Sequence, residues 1–235
     1  MSAPPTEHAR LAELAAAAGA RLEGAHPLEV LRWAVHEFDD RFCVTSSMAD
    51  AVLPHLASRV RPGVPVLFLD TGYHFAETIG TRDAVAATLP VTVHTLTPRR
   101  TVAEQDAEEG PRLYERNPDR CCALRKVEPL ARGLAPYTAW ATGVRRDEAS
   151  TRRQIGVVEW DPGRGMVKVN PLAGWSQAEV DDYVAEHGVL VNPLAQEGYL
   201  SIGCAPCTRP VAAGADPRSG RWAGTNKIEC GLHGS

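Results

Sequence analysis

Between residues 41 and 96 short apolar runs alternate with stretches of helical period: "RFCVTSS", "MADAVLPHLASRV", "VPVLFLD", "AETIGTRDAVAATL" and "VTVHTL". Strands that alternate with helices of this length predict right-handed βαβ units and a parallel sheet, because a parallel return needs a long crossover. The helix that begins at Met48 should be interrupted at Pro54, which has no N–H to give. Further on, "YTAWATG" reads as another buried strand and "VVEWDPGRGMVKVNP" as two short strands around a Pro-Gly turn. "SQAEVDDYVAEHG" reads as a helix with Ser176 as N-cap, Glu179 three residues on, and Gly188 as its end. The expected fold class is α/β, an open and mostly parallel sheet with helices on both faces. Residues 1–40 read as a helical preface, 41–200 as the core, and 201–235 as an irregular cysteine-bearing segment with a mobile tail, all in one domain.

The chain has 235 residues, enough to bury a large core without covalent help, so its six cysteines are not needed as staples. A net charge of −4 argues against a nucleic-acid binder, while leaving room for a local basic pocket that takes a small anion. The N-terminal stretch lacks the pattern of a signal peptide, and no apolar run reaches the roughly 18 residues of a membrane span. The expected location is therefore the cytoplasm, where cysteines act as ligands or catalysts rather than disulfides.

Two strand ends carry polar loops. "CVTSSMADAVL" leads from a strand towards a helix through Ser46 and Ser47, a junction that aims free backbone N–H groups at whatever lies above it and suits an anion. A plain helix cap by either serine is the competing reading. The glycines and lysine of a P-loop are missing, which disfavours that class of nucleotide hydrolase. At the next strand end "LDTGYHFAET" supplies Asp70, Thr71 and Gly72, either as the second wall of a crevice or as a turn before a helix.

Cys121 and Cys122 stand in tandem in "RCCALRKVEPL", and Cys204 and Cys207 form a C-x-x-C in "IGCAPCTRP". Four thiolates complete a tetrahedral zinc site or the corners of an iron–sulfur cube. Neighbouring side chains on a helix diverge by about 100°, which strains a single-ion site more than a cube whose irons are spread apart, so iron–sulfur ranks above zinc and a redox disulfide. Arg125 and Lys126, one turn beyond the pair, read either as charge-balancing groups or as ordinary solvated helix charges. Cys43, inside an apolar strand, reads as core. Cys230 is left over near the chain end, with Lys227 and His233 close by to favour a thiolate and Glu229 to oppose it.

Taken together, "SSMADAVL", "LDTGYHFAET", "CCALRKVEPL", "ATGVRRDEASTRR", "GCAPCTRP" and "GRWAGTNKIECGLH" resemble the cluster-bearing branch of the phosphoadenylyl-sulfate reductase family, the assimilatory adenylyl-sulfate reductases. The resemblance spans residues 46 to 233, and its specificity lies in the joint occurrence of Cys-Cys, C-x-x-C and the terminal E-C-G-L-H. It implies a Rossmann-like sheet of the adenine-nucleotide α-hydrolase type, and one [4Fe-4S] cluster on Cys121, Cys122, Cys204 and Cys207. It implies Cys230 as the nucleophile that takes the sulfonate from adenylyl sulfate, with thioredoxin as reductant. Substrate contacts carry over to Ser46, Ser47, Lys126, Gly143, Arg152, Arg218 and Arg221. Cations there would neutralise a doubly charged anhydride under attack by an anionic sulfur. For Arg145, Arg146 and Arg153 a surface role stands equally. Ser47, Met48 and Ala51 depart from the S-G-G-x-D-S pattern of the ATP pyrophosphatases, which speaks against ATP cleavage.

Three alternatives remain at this level: a reductase preferring the 3′-phosphorylated substrate, an iron–sulfur tRNA-thiolating ATP pyrophosphatase, and a cluster-bearing sensor. Whether the chain forms a homo-oligomer is not legible.

Overall fold

The computed structural model describes residues 6–212, 214–222, 227 and 229–232. Helix α1 (Glu7–Leu22) and helix α2 (Pro27–Phe38) precede strand β1 (Phe42–Thr45); then follow α3 (Val52–Val60), β2 (Val64–Leu69), α4 (Ala76–Thr88) and β3 (Val91–Leu96). A run of short helices, α5 (Val102–Glu109), α6 (Leu113–Arg116), α7 (Pro118–Cys122) and α8 (Glu128–Leu134), leads to β4 (Ala139–Ala141). The hairpin β5 (Val158–Asp161) and β6 (Met166–Val169) and helix α9 (Gln177–His187) complete the regular elements. The six strands form one sheet in the order β3-β2-β1-β4-β6-β5, parallel except for β5. The expected α/β architecture, with its two short strands around the Pro-Gly turn, is what forms. No helix among the described residues is long and apolar enough to cross a membrane.

The two faces of the sheet are covered differently. On one face Phe42, Val44, Val66, Phe68, Ala139, Ala141, Val167 and Val169 meet apolar side chains of α1, α2, α3 and α9 in the main core. The alternation of side chains along a strand sends Cys43, Leu67 and Trp140 to the other face, against Leu130 and Leu134 of α8. Leu232, from the C-terminal tail, packs onto this second cluster. Cys43 is fully buried there, and desolvation pushes its thiol pKa far up, as fits a packing residue.

Two local expectations are corrected. The chain does not pass directly from β1 into a helix: residues 46–51 form a loop, and α3 begins only at Val52, with Ala51 as N-cap. Neither Ser46 nor Ser47 caps it; Asp50 Oδ1 accepts from Val52 N instead, at 2.9 Å. Met48 is fully buried with a positive φ of 59°, so its side chain pins the loop to the core. Pro54 does not interrupt α3, because it falls in the first turn, where N–H groups have no intrahelical partner anyway. The helix over 177–187 has the expected capping box of Ser176 and Glu179, and Gly188 adopts the left-handed conformation that ends it.

Candidate active site

The strand order reverses between β1 and β4, and the carboxyl ends of these neighbours open a crevice, the place where open α/β sheets bind ligands. Ser46 and Ser47 stand at the end of β1, and exposed Gly143 just past the end of β4, so the structure brings these three to one rim. Ser46 Oγ accepts from Met48 N at 3.2 Å, which shapes the loop. Thr142 Oγ1 donates to Asn170 Oδ1 at 2.8 Å and ties the β4 end to that of β6.

The loop after β2 gathers the cysteines. Arg125 Nε donates to the Thr71 carbonyl, and its Nη1 to Gln105 Oε1 at 3.0 Å, while the guanidinium lies over the Tyr73 ring. Those bonds fix the segment that carries Cys121 and Cys122. The C-x-x-C turn is fixed from the other side: Ala205 N donates to the Tyr73 carbonyl at 2.7 Å, and Thr71 Oγ1 lies 3.3 Å from Cys204 Sγ. Gly72 joins the two halves with φ of 73°, and a Cβ there would stand 3.0 Å from Arg125 Nη2. Gly72→Ala should therefore cost about 1–2 kcal/mol from the left-handed backbone alone, read as a fall in unfolding free energy by denaturant titration. An unchanged midpoint would show that the loop does not need this conformation.

Directly after Cys122 the helix widens into a π-helical turn, Ala123–Val127, before resuming as α8. Such turns are rare and cluster at functional sites, because they re-aim side chains out of the α-helical register. The reading of Arg125 and Lys126 as ordinary solvated charges fails, since both are buried. Cys121, Cys122, Cys204 and Cys207 line one small pocket, partly open to solvent, together with Tyr73, Lys126 and Trp222. Burial pushes the Cys121 thiol up to about 12 and the Cys207 thiol up to about 11, the other cysteines adding to the rise; Cys122 is raised for the same first reason.

The sulfurs converge on one cation. Burial pulls the Lys126 ammonium pKa down, yet Cys204, Cys230 and Cys122 pull it up more strongly, Arg221 opposing, and the net direction is upward. Arg218, Arg221 and Lys227 all approach the Trp222 ring, at 5.8, 4.5 and 5.7 Å from its centre. Trp222 N donates to the Cys207 carbonyl at 3.0 Å, so this cationic patch is joined to the C-x-x-C turn. Arg221 Nη1 reaches Ser201 Oγ and the Ile202 carbonyl, both at 3.3 Å. Trp222 escaped the sequence reading, although its place in "RSGRW", one residue past Arg221, was the available signal.

The tail is docked. Glu229 accepts from Arg152 Nε at 3.0 Å and Nη2 at 3.1 Å, and from Arg218 Nη2 at 3.0 Å. Burial raises its carboxyl pKa, but the two guanidiniums outweigh that and hold it low. Lys227 pairs with Asp119, and the Leu232 carbonyl accepts from Arg164 Nη2 at 2.9 Å. Cys230, half-buried between these anchors, lies close enough to Lys126 and Cys122 to influence both. His233 lies outside the described residues. Arg145, buried, holds Asp147 and Gln177 and is a framework residue; Arg146 pairs with Glu23 on both guanidinium nitrogens, and Arg153 is exposed.

The crevice and the cation-lined cavity define an α/β protein built to hold a nucleotide and a small anion beside a group of thiols. A family model for the phosphoadenosine phosphosulfate reductase domain matches residues 41–210. The adenosine 5′-phosphosulfate reductase of Streptomyces coelicolor is 66% identical over 224 residues, covering 95% of each chain, and that of Mycolicibacterium smegmatis 56% identical over 223 residues, covering 95% of this chain and 94% of its own. The crystal structure of phosphoadenylyl-sulfate reductase from Candida auris superimposes with a TM-score of 0.74 at 31% identity, over 89% of this chain and all of that one. The chain belongs to the phosphoadenosine phosphosulfate reductase family.

Proposed function

We propose that the chain is an adenylyl-sulfate reductase that converts adenylyl sulfate to sulfite and AMP, with Cys230 as nucleophile and thioredoxin as the electron donor. The observation that carries the reading is the placement of buried Lys126 on the wall of the pocket lined by Cys121, Cys122, Cys204 and Cys207, within electrostatic reach of Cys230. The names of its close relatives support the same substrate.

In this reading the Cys230 thiolate attacks the sulfate sulfur. The Sγ–S bond forms as the S–O bond to phosphate breaks, AMP leaves with the bonding pair, and Cys230 carries an S-sulfonate. A thioredoxin thiolate then attacks Cys230 Sγ, sulfite leaves with its electron pair, and the second thioredoxin thiol closes a disulfide and returns Cys230. The dithiol supplies both electrons. Lys126, Arg218 and Arg221 neutralise the charge that gathers as an anionic sulfur meets an anionic substrate. Ser46, Ser47 and Gly143 line the rim that receives the nucleotide. Arg152 and Arg218 hold Glu229 in the resting chain, so the incoming phosphosulfate must win part of that hold from the carboxylate.

Cys121, Cys122, Cys204 and Cys207 would hold the [4Fe-4S] cluster. Supporting this are the shared cavity, the Thr71 hydroxyl beside Cys204, and the Tyr73 phenol, buried without a partner among the described residues, as a donor to sulfur. When bound, the cluster supplies fixed charge and structural cohesion rather than electrons, since thiol exchange accounts for both of those. Cys204→Ser is expected to purify with little iron and without visible absorbance. Wild-type iron content in that variant would remove Cys204 from the ligand set.

The test of the function is mass spectrometry of the protein mixed with adenylyl sulfate and no thioredoxin. A sulfonate adduct on Cys230, discharged as sulfite when thioredoxin is added, is the expected result; an adduct elsewhere, or none, rejects the mechanism.

A further inference from the structure

Cys230 is flanked by two anchors of opposite kind. On its N-terminal side Glu229 is clamped by Arg152 and Arg218. On its C-terminal side Leu232 packs against the apolar cluster of Cys43, Leu67, Leu130, Leu134, Trp140 and Met166. Its carbonyl is held by Arg164, whose guanidinium lies 5.3 Å from the Trp140 ring centre and pairs with Asp161 at 2.8 Å. Between Cys230 and Leu232 stands Gly231, at φ of 78°, the left-handed turn that a residue with a side chain adopts only at a cost. Arg152 lies beyond the edge where β4 and β6 end, whereas Arg164 lies in the hairpin turn at the opposite edge. The tail therefore crosses the second face of the sheet and closes a cluster that α8 covers only in part.

We propose that Leu232 and Arg164 form a latch that positions Cys230 for attack. One anchor fixes a point and leaves the chain free to pivot about it; a second, two residues beyond the sulfur, removes that freedom. Both anchors are built for release: an apolar side chain of moderate burial, one backbone hydrogen bond, and an ion pair that a phosphosulfate can compete for. The latch must hold during attack and let go when the adduct meets a protein thiol. Leu232 and Arg164 are thus positioning residues that act through Cys230 and touch no reacting atom.

The attack step in this inference rests on the reductase reading; the docking of the tail does not. Alkylation of Cys230 by iodoacetamide, followed by peptide mass spectrometry without substrate, is compared in wild type, Leu232→Ala, Leu232→Met and Arg164→Ala. Loss of part of one leucine burial is worth about tenfold in tail docking. Leu232→Ala should then accelerate alkylation by several-fold and slow adduct formation from adenylyl sulfate by about tenfold. Sulfite release from preformed adduct by thioredoxin should be as fast as in wild type or faster, and Leu232→Met, which refills the apolar seat, should restore both rates. Arg164→Ala should shift them in the same directions. Wild-type alkylation in Leu232→Ala overturns the latch, and so does equal slowing of adduct formation and sulfite release, which would mark a general structural defect. Failure of the wild-type chain to form any adduct would reject the reductase reading while the alkylation comparison still decided the latch.

Discussion

Cys230→Ser is expected to abolish sulfite production while leaving the protein folded, with the same metal content as the wild type and its nucleotide crevice unchanged. The substitution replaces one atom at a half-buried site, away from the main core, so its effect on stability should stay within about 0.5 kcal/mol. Chemically the change is large. A thiol at neutral pH already supplies some of the thiolate that attacks. A serine hydroxyl ionises far less readily, and a cation cannot take its proton; without a base the oxygen remains a poor nucleophile. Removal of a nucleophile in a concerted site costs on the order of 10⁴-fold or more in rate. Sulfite assays with thioredoxin, together with AMP binding to both proteins, separate chemistry from recognition. Turnover near the wild-type rate with serine at position 230 would end the mechanism, whatever the metal content.

The sequence carried the scaffold and much of the thiol chemistry because both have local signatures. Period-two and period-3.6 patterns placed β1, β2, β3, the β5–β6 hairpin and α9, and the last of these has the cap and stop residues that its sequence advertises. The spacing of Cys204 and Cys207 and the tandem Cys121-Cys122 were likewise visible, and the fold brings all four to one cavity. What was not legible depends on contacts far apart in the chain. The late start of α3 follows from the burial of Met48 and from the pairing of Asp50 with Val191. The burial of Arg125 follows from a carbonyl 54 positions away, and of Arg145 from Gln177, 32 away. The π-helical turn after Cys122 has no local residue preference that announces it. Glu229 was weighed only as a charge that opposes its neighbour thiolate; its partners Arg152 and Arg218 make it an anchor, which neighbouring residues alone could not reveal.

Lys126→Ala is expected to slow adduct formation about a hundredfold to a thousandfold, the loss seen when one preorganised donor to a developing charge is removed. The argument rests on where this ammonium sits. Burial pulls its pKa down, yet the sulfurs of Cys204, Cys230 and Cys122 pull it up more strongly, so the net effect favours a charge held in a region of low polarity. Charges act more strongly there than in water, and this one spans the cysteines that would carry the cluster and the cysteine that attacks. Alanine takes away the charge together with the buried stem, and Lys126→Met separates the two: it keeps most of the volume and should lose as much rate. Lys126→Arg should rescue little, because a planar fork does not occupy the seat of a compact ammonium. If the proposed cluster is bound and the coupling is electrostatic, the alanine and methionine variants should match the wild type in iron content, and a change in cluster absorbance or magnetic signature on addition of adenylyl sulfate should be seen in the wild type and lost in the variants along with the rate. An alanine variant that keeps full activity would place the neutralising charge on Arg218 and Arg221 instead, and would leave Lys126 as a counter-ion to the buried thiols alone.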